Sequence, residues 1–575
     1  MKSWTPLAIS LALGAAPLGC GGDSSGTDSD SATTNATSSV TTATTAGPTT
    51  DGSGSETAST DPAGTDSESE TQATTVDSDT DPTTEDPTTE TTDPTTETTD
   101  PTTETTGPMP DQCKVNDDMN GVGDCTMESP PDSFEPDVQW DWWGPNNETQ
   151  SLVPALVANL TDDDMNGEID LCDIPDIVVL ATDFANSTHI YVLDGATGSV
   201  HFMIPNNLSF TITPAIGDID SDGIPEIIAG DGAGFGGPAH ILAFEHDGAL
   251  KWTSTATWSH QQGGSIAIAD LDNDGDVEII AHGLLLDHNG QLLFQSPAQV
   301  TGNNAPTAAD LDGDGDLEII HGREAYHHDG SVYYVNMSVT AGFPQVADLD
   351  DDPEPEIIVN SNAGITILEH DGSIKVQNAN PLGGSGFRPS TVHDFDGDEV
   401  SEFAVSTAAK YAVYEPDVTV KWSANVQDGS GWAAGTAFDF DGNGVAEAMY
   451  GDEVNLYVFD GNGQVLLSVP RSARTLTEYP IVADVDNDGS AEIVVVSDAG
   501  FQNNQTAPTV QVIRDIEDRW IQARRIWNQH TYHVTNVRED GTIPQFEPKS
   551  WENLNTFRTN SQIENGAICN PPIPE

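Results

Sequence analysis

From about residue 150 onward, short runs of apolar residues alternate with short acidic stretches, and the runs are too brief for helices. Glu278-Ile279-Ile280-Ala281, Glu318-Ile319-Ile320-His321 and Glu492-Ile493-Val494-Val495-Val496 are largely β-branched, the composition of strands buried on both faces. Each follows an acidic loop. The stretch around Asp270 shows the unit most clearly: Ser265 to Ala269 reads as a strand leading in and Glu278 to Ala281 as a strand leading out. Leu284 to Asp287 is a third strand, and Gln291 to Gln295 a fourth after the turn His288-Asn289-Gly290. The pattern predicts an all-β fold built from four-stranded units.

Successive acidic loops start 59, 52, 40, 38, 46, 45 and 45 residues apart, counting from a degenerate copy at Asn159, Thr161, Asp163 and Asp164. That period suits one propeller blade per repeat. Eight loops imply eight blades, with seven the alternative if the first loop, with its inserted Asp170, Leu171 and Cys172, lies outside the ring. Asp247-Gly248, Asn289-Gly290, Asp329-Gly330, Asp371-Gly372 and Asn462-Gly463 mark the outer hairpins, and such pairs predict turns with φ above zero at both central residues. His246, His288, His328 and His370 sit beside separate turns and read as structural residues.

The loops are the candidate chemistry. Clean copies are Asp218, Asp220, Asp222 and Glu226; Asp270, Asp272, Asp274 and Glu278; Asp310, Asp312, Asp314 and Glu318; Asp348, Asp350, Asp352 and Glu356; Asp394, Asp396, Asp398 and Glu402; Asp439, Asp441, Asn443 and Glu447; and Asp484, Asp486, Asp488 and Glu492. Oxygens at positions 1, 3 and 5 of a tight turn converge, and a carboxylate four residues later closes the shell, which is the donor set calcium prefers. Glycine at position 6 (Gly223, Gly275, Gly315, Gly444, Gly489) lets the chain turn with positive φ. An EF-hand differs, with five residues between its glycine and glutamate and a helix afterwards. The loops starting at Asp218, Asp270, Asp310 and Asp484 are expected to bind calcium best and that at Asp439 nearly as well. Those at Asp348 and Asp394 are expected to be weaker, because Pro353 and Glu399 replace the glycine.

These loops resemble the FG-GAP or VCBS-type repeats of integrin α-chain propellers and bacterial surface proteins, and Gly234-Phe235-Gly236-Gly237-Pro238 nearly spells the family name. The resemblance covers roughly residues 150 to 515. It implies a calcium-binding β-propeller, in a family that spans adhesins, lectin-like modules and a few enzymes.

The remainder of the chain reads as export and display. Residues 1–20 combine Lys2, an apolar stretch from Leu7 to Ala16 and Pro17-Leu18-Gly19-Cys20, similar to a bacterial lipoprotein signal with Cys20 as the lipidated residue. Residues 21–110 are almost entirely Thr, Ser, Asp, Glu, Gly, Pro and Ala, with Asp-Pro-Thr-Thr-Glu-Thr-Thr repeating from Asp86, a stalk that cannot bury a core. Residues 111–150 form a lead-in with Cys113, Cys125 and Trp140, Trp142 and Trp143, whose tryptophans read as an aromatic plug against the propeller. In it Asn116-Asp117-Asp118-Met119-Asn120-Gly121 echoes Asp163 to Gly167 as another candidate calcium turn. The propeller is assigned to 151–513. Four cysteines besides Cys20 suggest two disulfides in an oxidising compartment, with Cys113–Cys125 and Cys172–Cys569 favoured among three connectivities.

Net charge is −78. The stalk holds nineteen acidic and no basic residues, leaving 76 acidic against 17 basic, or −59, so the acid belongs mainly to the folded part. Nucleic acid is excluded as a partner by this surface. Residues 514–575 hold seven of the basic residues (Arg514, Arg519, Arg524, Arg525, Arg538, Lys549, Arg558). They read as a cap in which Trp520, Trp527 and Trp551 fill an apolar joint, or as a ligand site built on Arg524, Arg525, His530 and His533. The sequence lacks a nucleophile elbow, a zinc-protease motif and a phosphate loop. The expected function is calcium-stabilised recognition of a glycan or protein ligand at the cell surface or outer membrane. A polysaccharide-acting, lyase-like enzyme is the alternative.

Overall fold

The computed structural model describes residues 113–569, apart from 116–118, 120–124, 131–132, 233, 235, 261–262, 297–304, 351, 387, 430–431 and 499–506. Cys20, the stalk, Phe235 and all of the 116–121 turn except Met119 lie outside the described residues.

Eight four-stranded antiparallel sheets follow one another along the chain as the blades of a propeller. Blade 1 is Leu156–Ala158, Asp176–Thr182, Thr188–Asp194 and Val200–Ile204, so the degenerate first loop belongs to the ring. Blade 3 is Ala267–Ala269, Glu278–Ala281, Leu284–Leu286 and Leu292–Gln295, strand for strand as its sequence predicts. The innermost strands are short and rich in alanine, as at Ala215–Gly217, Ala267–Ala269 and Thr307–Ala309, since small side chains let eight sheets converge on one axis. In blade 3 the second and third strands are buried along their whole length, and the outermost, Leu292–Gln295, is largely exposed.

The ring closes through the lead-in. Ile481–Ala483, Glu492–Val496 and Val510–Asp515 give blade 8 only three strands, and Pro136–Trp142 pairs antiparallel with Val510–Asp515 as the fourth. The propeller boundaries of 151 and 513 are therefore corrected at both ends. Trp140 and Trp142 are blade residues rather than a plug. Trp142 packs on Tyr191 of blade 1 with ring centroids 5.2 Å apart, while Trp143 is 49% exposed. A repeated contact explains Trp140. The outer-strand aromatic of one blade packs on the hairpin glycine of the next, so that a Cβ on Gly290 would lie 2.5 Å from Trp252 and one on Gly198 2.6 Å from Trp140. Trp140 Nε1 also donates to the Gly195 carbonyl at 2.7 Å, as Trp252 Nε1 does to His288 at 2.9 Å.

Two further expectations are corrected. In the outer hairpins only the glycine takes positive φ (Gly248 82°, Gly290 74°, Gly330 78°, Gly372 79°, Gly463 76°). Each strand pair carries a register shift beside the turn. These are type I turns closed by a bulge rather than type I′, because the third loop residue absorbs the reversal. The disulfides join Cys113 to Cys172 and Cys125 to Cys569, with Cα atoms 4.7 and 5.3 Å apart. The lead-in thus staples to the first blade's insertion and to the C-terminal segment separately, because it runs between them across the loop-bearing face.

Within residues 520–569, residues 541–549 cross the loop-bearing face of the ring, and residues 527–531 and 557–560 on either side of them fill its axis. In chain order they touch each inner strand in turn. Trp527 bridges to Val157 of blade 1, the Asn528 carbonyl accepts Ile216 N–H of blade 2 at 2.8 Å, and Gln529 Oε1 accepts Ile268 N–H of blade 3 at 3.0 Å. Thr531 donates to the Pro306 carbonyl beside blade 4 at 2.9 Å. After an excursion, Asn555 meets Asp348 of blade 5, Phe557 bridges to Val392 of blade 6, Thr559 donates to Ala437 of blade 7 and Asn560 to Val482 of blade 8.

Candidate functional site

The axial segment settles the two readings of the basic, aromatic C-terminus. Arg524, Trp527 and Arg558 have no exposed surface, and His530 and His533 are 1% and 4% exposed. Arg524 donates to the Tyr532 hydroxyl and to the Val534 and Val537 carbonyls, Arg558 to the His530 and Ser390 carbonyls. Arg525 pairs with Glu539 of the same segment at 2.8 Å. Burial, with the Arg558 guanidinium adding to it, pushes the His530 pKa well below its ordinary value. These residues are structural: Arg524 binds groups of its own segment, and Arg525 and Arg558 tie that segment to the Leu171 and Ser390 carbonyls of the propeller.

The seven acidic loops share one geometry. The position-9 glutamate turns Oε2 back to accept the N–H of position 2: Ile219 at 3.0 Å, Leu271 at 3.0 Å, Leu311 at 2.8 Å, Leu349 at 2.7 Å, Phe395 at 2.8 Å, Phe440 at 3.1 Å and Val485 at 2.9 Å. In the loops starting at Asp218, Asp270, Asp394, Asp439 and Asp484, position 1 accepts the N–H of position 6, as Asp270 does from Gly275 at 2.8 Å and Asp484 from Gly489 at 3.1 Å. Pro353 has no N–H to offer Asp348, and Asp310 accepts from Gly313 at 2.7 Å instead. The position-6 glycines take φ between 81° and 99°, and Glu399 takes 69° in place of glycine. Each glutamate thus shapes the turn with Oε2 and leaves Oε1 over, and Asp270 and Asp484 keep Oδ1 for the centre, whereas Asp218, Asp394 and Asp439 give both oxygens to turn amides. The first loop closes differently. Asp176 accepts Leu160 N–H at 2.9 Å and takes the glutamate's part from beyond the insertion, which hid it from a fixed spacing. Within that insertion Asp162, Asp164 and Asp173 form a second acidic group.

The electrostatics suit a divalent cation. Burial, reinforced by Asp272, Asp270 and Asp274, pushes the Glu278 pKa up to about 8, and burial raises Asp484 to about 7 and Glu447 and Glu492 well above the carboxylate range. Asp270 Oδ1, Asp484 Oδ1 and Glu492 Oε1 are buried carboxylate oxygens without a hydrogen-bond partner. Buried anions are held only when paired or metal-bound, so the donor set fits calcium.

The opposite face carries the turns that lead into the inner strands, and Arg323, Arg388 and Arg474 lie beside its clefts. A cleft of about 490 Å³ is lined by Arg323, Ser338, Thr340, Asn360, Asn362 and Arg388, among others. The Arg388 guanidinium lies 4.4 Å from the Trp432 ring centre, and burial lowers its pKa to about 10, leaving it charged at neutral pH. A second cleft of about 440 Å³ between blades 1 and 2 is lined by Phe184, Asn186, Ser187, Asn207 and Phe210, with Arg474 stacked 4.0 Å over Phe184. The sequence reading missed this face because its arginines are scattered singly between strands.

A family model described as an FG-GAP-like repeat matches residues 218–281. No curated protein sequence matches the chain. Among solved structures, the V. cholerae biofilm matrix protein Bap1 is similar with a TM-score of 0.62 and 20% identity, over 76% of this chain and 100% of that one. A Bacillus licheniformis rhamnogalacturonan lyase (PL11) gives 0.46 and 18%, over 76% and 82%, and the rhamnogalacturonan lyase YesW 0.43 and 18%, over 66% and 74%. At these identities the likeness to Bap1 is one of fold. The chain is an eight-bladed, all-β propeller containing an FG-GAP-like repeat.

Proposed function

We propose that the protein is a calcium-stabilised recognition propeller, anchored at the cell surface by lipid on Cys20 and held off the membrane by the 21–110 stalk. It takes an anionic glycan or an acidic protein segment in the clefts of the face opposite the acidic loops. The carrying observation is the cleft of Arg323 and Arg388, in a chain with only 17 basic residues against 95 acidic ones. Planar guanidinium groups beside asparagine and serine side chains match carboxylate or sulfate groups on a hydroxyl-rich polymer. Calcium acts through the fold, holding the loops that seat the axial segment. Bap1 is named a biofilm matrix protein, and a matrix polymer is an apt ligand here.

A panel of acidic and neutral polysaccharides, tested in calcium, checks the reading. Binding restricted to acidic polymers, and weakened about tenfold or more (about 1.4 kcal/mol) in Arg388→Ala, is the expected result. Equal binding by wild type and by Arg323→Ala/Arg388→Ala overturns the cleft assignment. Release of unsaturated chain ends from a bound polymer makes the protein a lyase, with chemistry elsewhere than on Arg524, Arg525, His530 and His533.

A further inference from the structure

The seven loops fall into classes by one outer-strand position, the residue preceding the one that packs on the next blade. In blades 2, 5 and 6 it is Lys251, Lys375 and Lys421. Lys251 Nζ lies 2.5 Å from Asp220, 3.0 Å from Glu226 Oε1 and 3.1 Å from Glu245. Lys375 joins Asp350 and lies 2.7 Å from Glu356 Oε1; Lys421 joins Asp396 and lies 2.8 Å from Glu402 Oε1 and 3.2 Å from Glu415. In each case the ammonium joins the position-3 carboxylate to the glutamate oxygen that the turn leaves over. These lysines are 13–28% exposed and the three glutamates at most 2%.

In blades 3, 7 and 8 the same position is Leu293, Leu466 and Gln139, and among the described residues no cationic side chain pairs with Glu278, Glu447 or Glu492. The orphaned oxygens fall here: Asp270 Oδ1 in blade 3, Asp484 Oδ1 and Glu492 Oε1 in blade 8, with these residues 3%, 0% and 0% exposed. A second position changes with the first. Lysine blades open the outer hairpin with Glu245, Glu369 or Glu415, long enough to reach the ammonium, whereas blades 3 and 7 use Asp287 and Asp460, whose carboxylates curl back onto the turn amides at 2.7–3.0 Å. Blades 1 and 4 stand apart, bringing His201 and His327 to Asp176 and Glu318.

We infer that the lysines of blades 2, 5 and 6 are built-in substitutes for calcium, and that calcium is taken by the loops of blades 3, 7 and 8. The inference rests on the calcium reading and deepens it. An ammonium placed between two loop carboxylates supplies charge where the metal would bind and removes two of its ligands. The loop starting at Asp218, whose sequence is among the most complete, is thus a closed site.

Bound calcium per chain, measured by elemental analysis of the full chain after dialysis against about 1 mM calcium, tests this. Lys251→Met is expected to gain about one ion and Leu293→Lys to lose about one. Calcium in the wild type with an unchanged count in both variants overturns the lysine assignment alone. A wild type without calcium overturns the calcium reading beneath it. Should Lys251→Met fail to fold, Leu293→Lys, which keeps every native carboxylate, decides.

Discussion

Trp527→Ala probes the axial segment at its centre. The ring is fully buried, stacked on Tyr532 at 4.4 Å and 28°, 6.0 Å from Tyr479, and part of the core that joins blades 1, 2 and 8. Truncating such a side chain costs about 3–5 kcal/mol, because the surrounding inner strands are held by their own sheets and collapse little into the gap. Against a typical net stability of about 5–15 kcal/mol this is a large share. For roughly 430 ordered residues the unfolding entropy is about 0.9 kcal/mol/K, so a 4 kcal/mol loss lowers Tm by about 4–5 °C. Trp143→Ala, on a 49% exposed residue, is the control and should cost less than about 0.5 kcal/mol. Thermal unfolding of both variants in saturating calcium is the assay. If Trp527→Ala melts with the control, residues 520–569 do not carry the ring. If it keeps its Tm and loses ligand, the segment is a binding site.

Chelation should lower Tm, and magnesium should not restore it, being too small and too strict in geometry for these loops; a chelated protein that melts like the wild type refutes the metal reading. Without metal, burial raises the Glu278 and Asp484 pKa values to about 8 and about 7, well above the ordinary carboxylate range. The stability these protons supply is complete below about pH 4 and is lost as pH rises towards about 8. The chelated protein should therefore melt lower at about pH 8 than at about pH 5.5, and calcium should flatten the trend; a rising Tm over that window contradicts it. Trp140→Ala removes the contact that seats blade 8's outer strand on blade 1 and should raise amide exchange in Pro136–Trp142 before the rest of the ring. Cys20→Ser should leave the protein in the soluble fraction, whereas wild type without an N-terminal diacylglycerol refutes the anchor.

The blades were legible because each repeat is locally consistent: a buried β-branched strand, an acidic turn before it, an Asp-Gly or Asn-Gly hairpin after it. Blade 8 was not, since its outer strand Pro136–Trp142 lies just ahead of blade 1, several hundred residues before the other three strands of its own sheet at residues 481–515. A signal was nonetheless present. Val138-Gln139-Trp140 repeats the outer-strand pattern Leu250-Lys251-Trp252 and Val420-Lys421-Trp422, and reading it as a blade strand would have closed the ring. The axial segment left no such trace, because a chain that satisfies one inner strand after another has neither a period of 2 nor of 3.6. Its arginines looked like a ligand site because their burial against backbone carbonyls is a property of the tertiary fold alone.

The same limit governs the acidic loops, and it bears on how so acidic a domain holds together. Spacing identifies all seven, but only geometry separates those whose spare glutamate oxygen meets a lysine from those whose glutamate meets no cationic side chain among the described residues. The loop face is also where both terminal segments lie. The Gly541 carbonyl accepts Asp218 N–H at 2.9 Å, Gln545 donates to the Asn273 carbonyl at 2.6 Å, Lys549 reaches Asp310 at 3.3 Å, and Ser129 N–H donates to the Asp441 carbonyl at 2.8 Å. On the calcium reading proposed above, cations inside the loops, fixed or diffusible, would do more than relieve repulsion among carboxylates. They would set the shape of the surface on which residues 541–549 and the lead-in rest, and chelation should loosen those segments before it opens any blade.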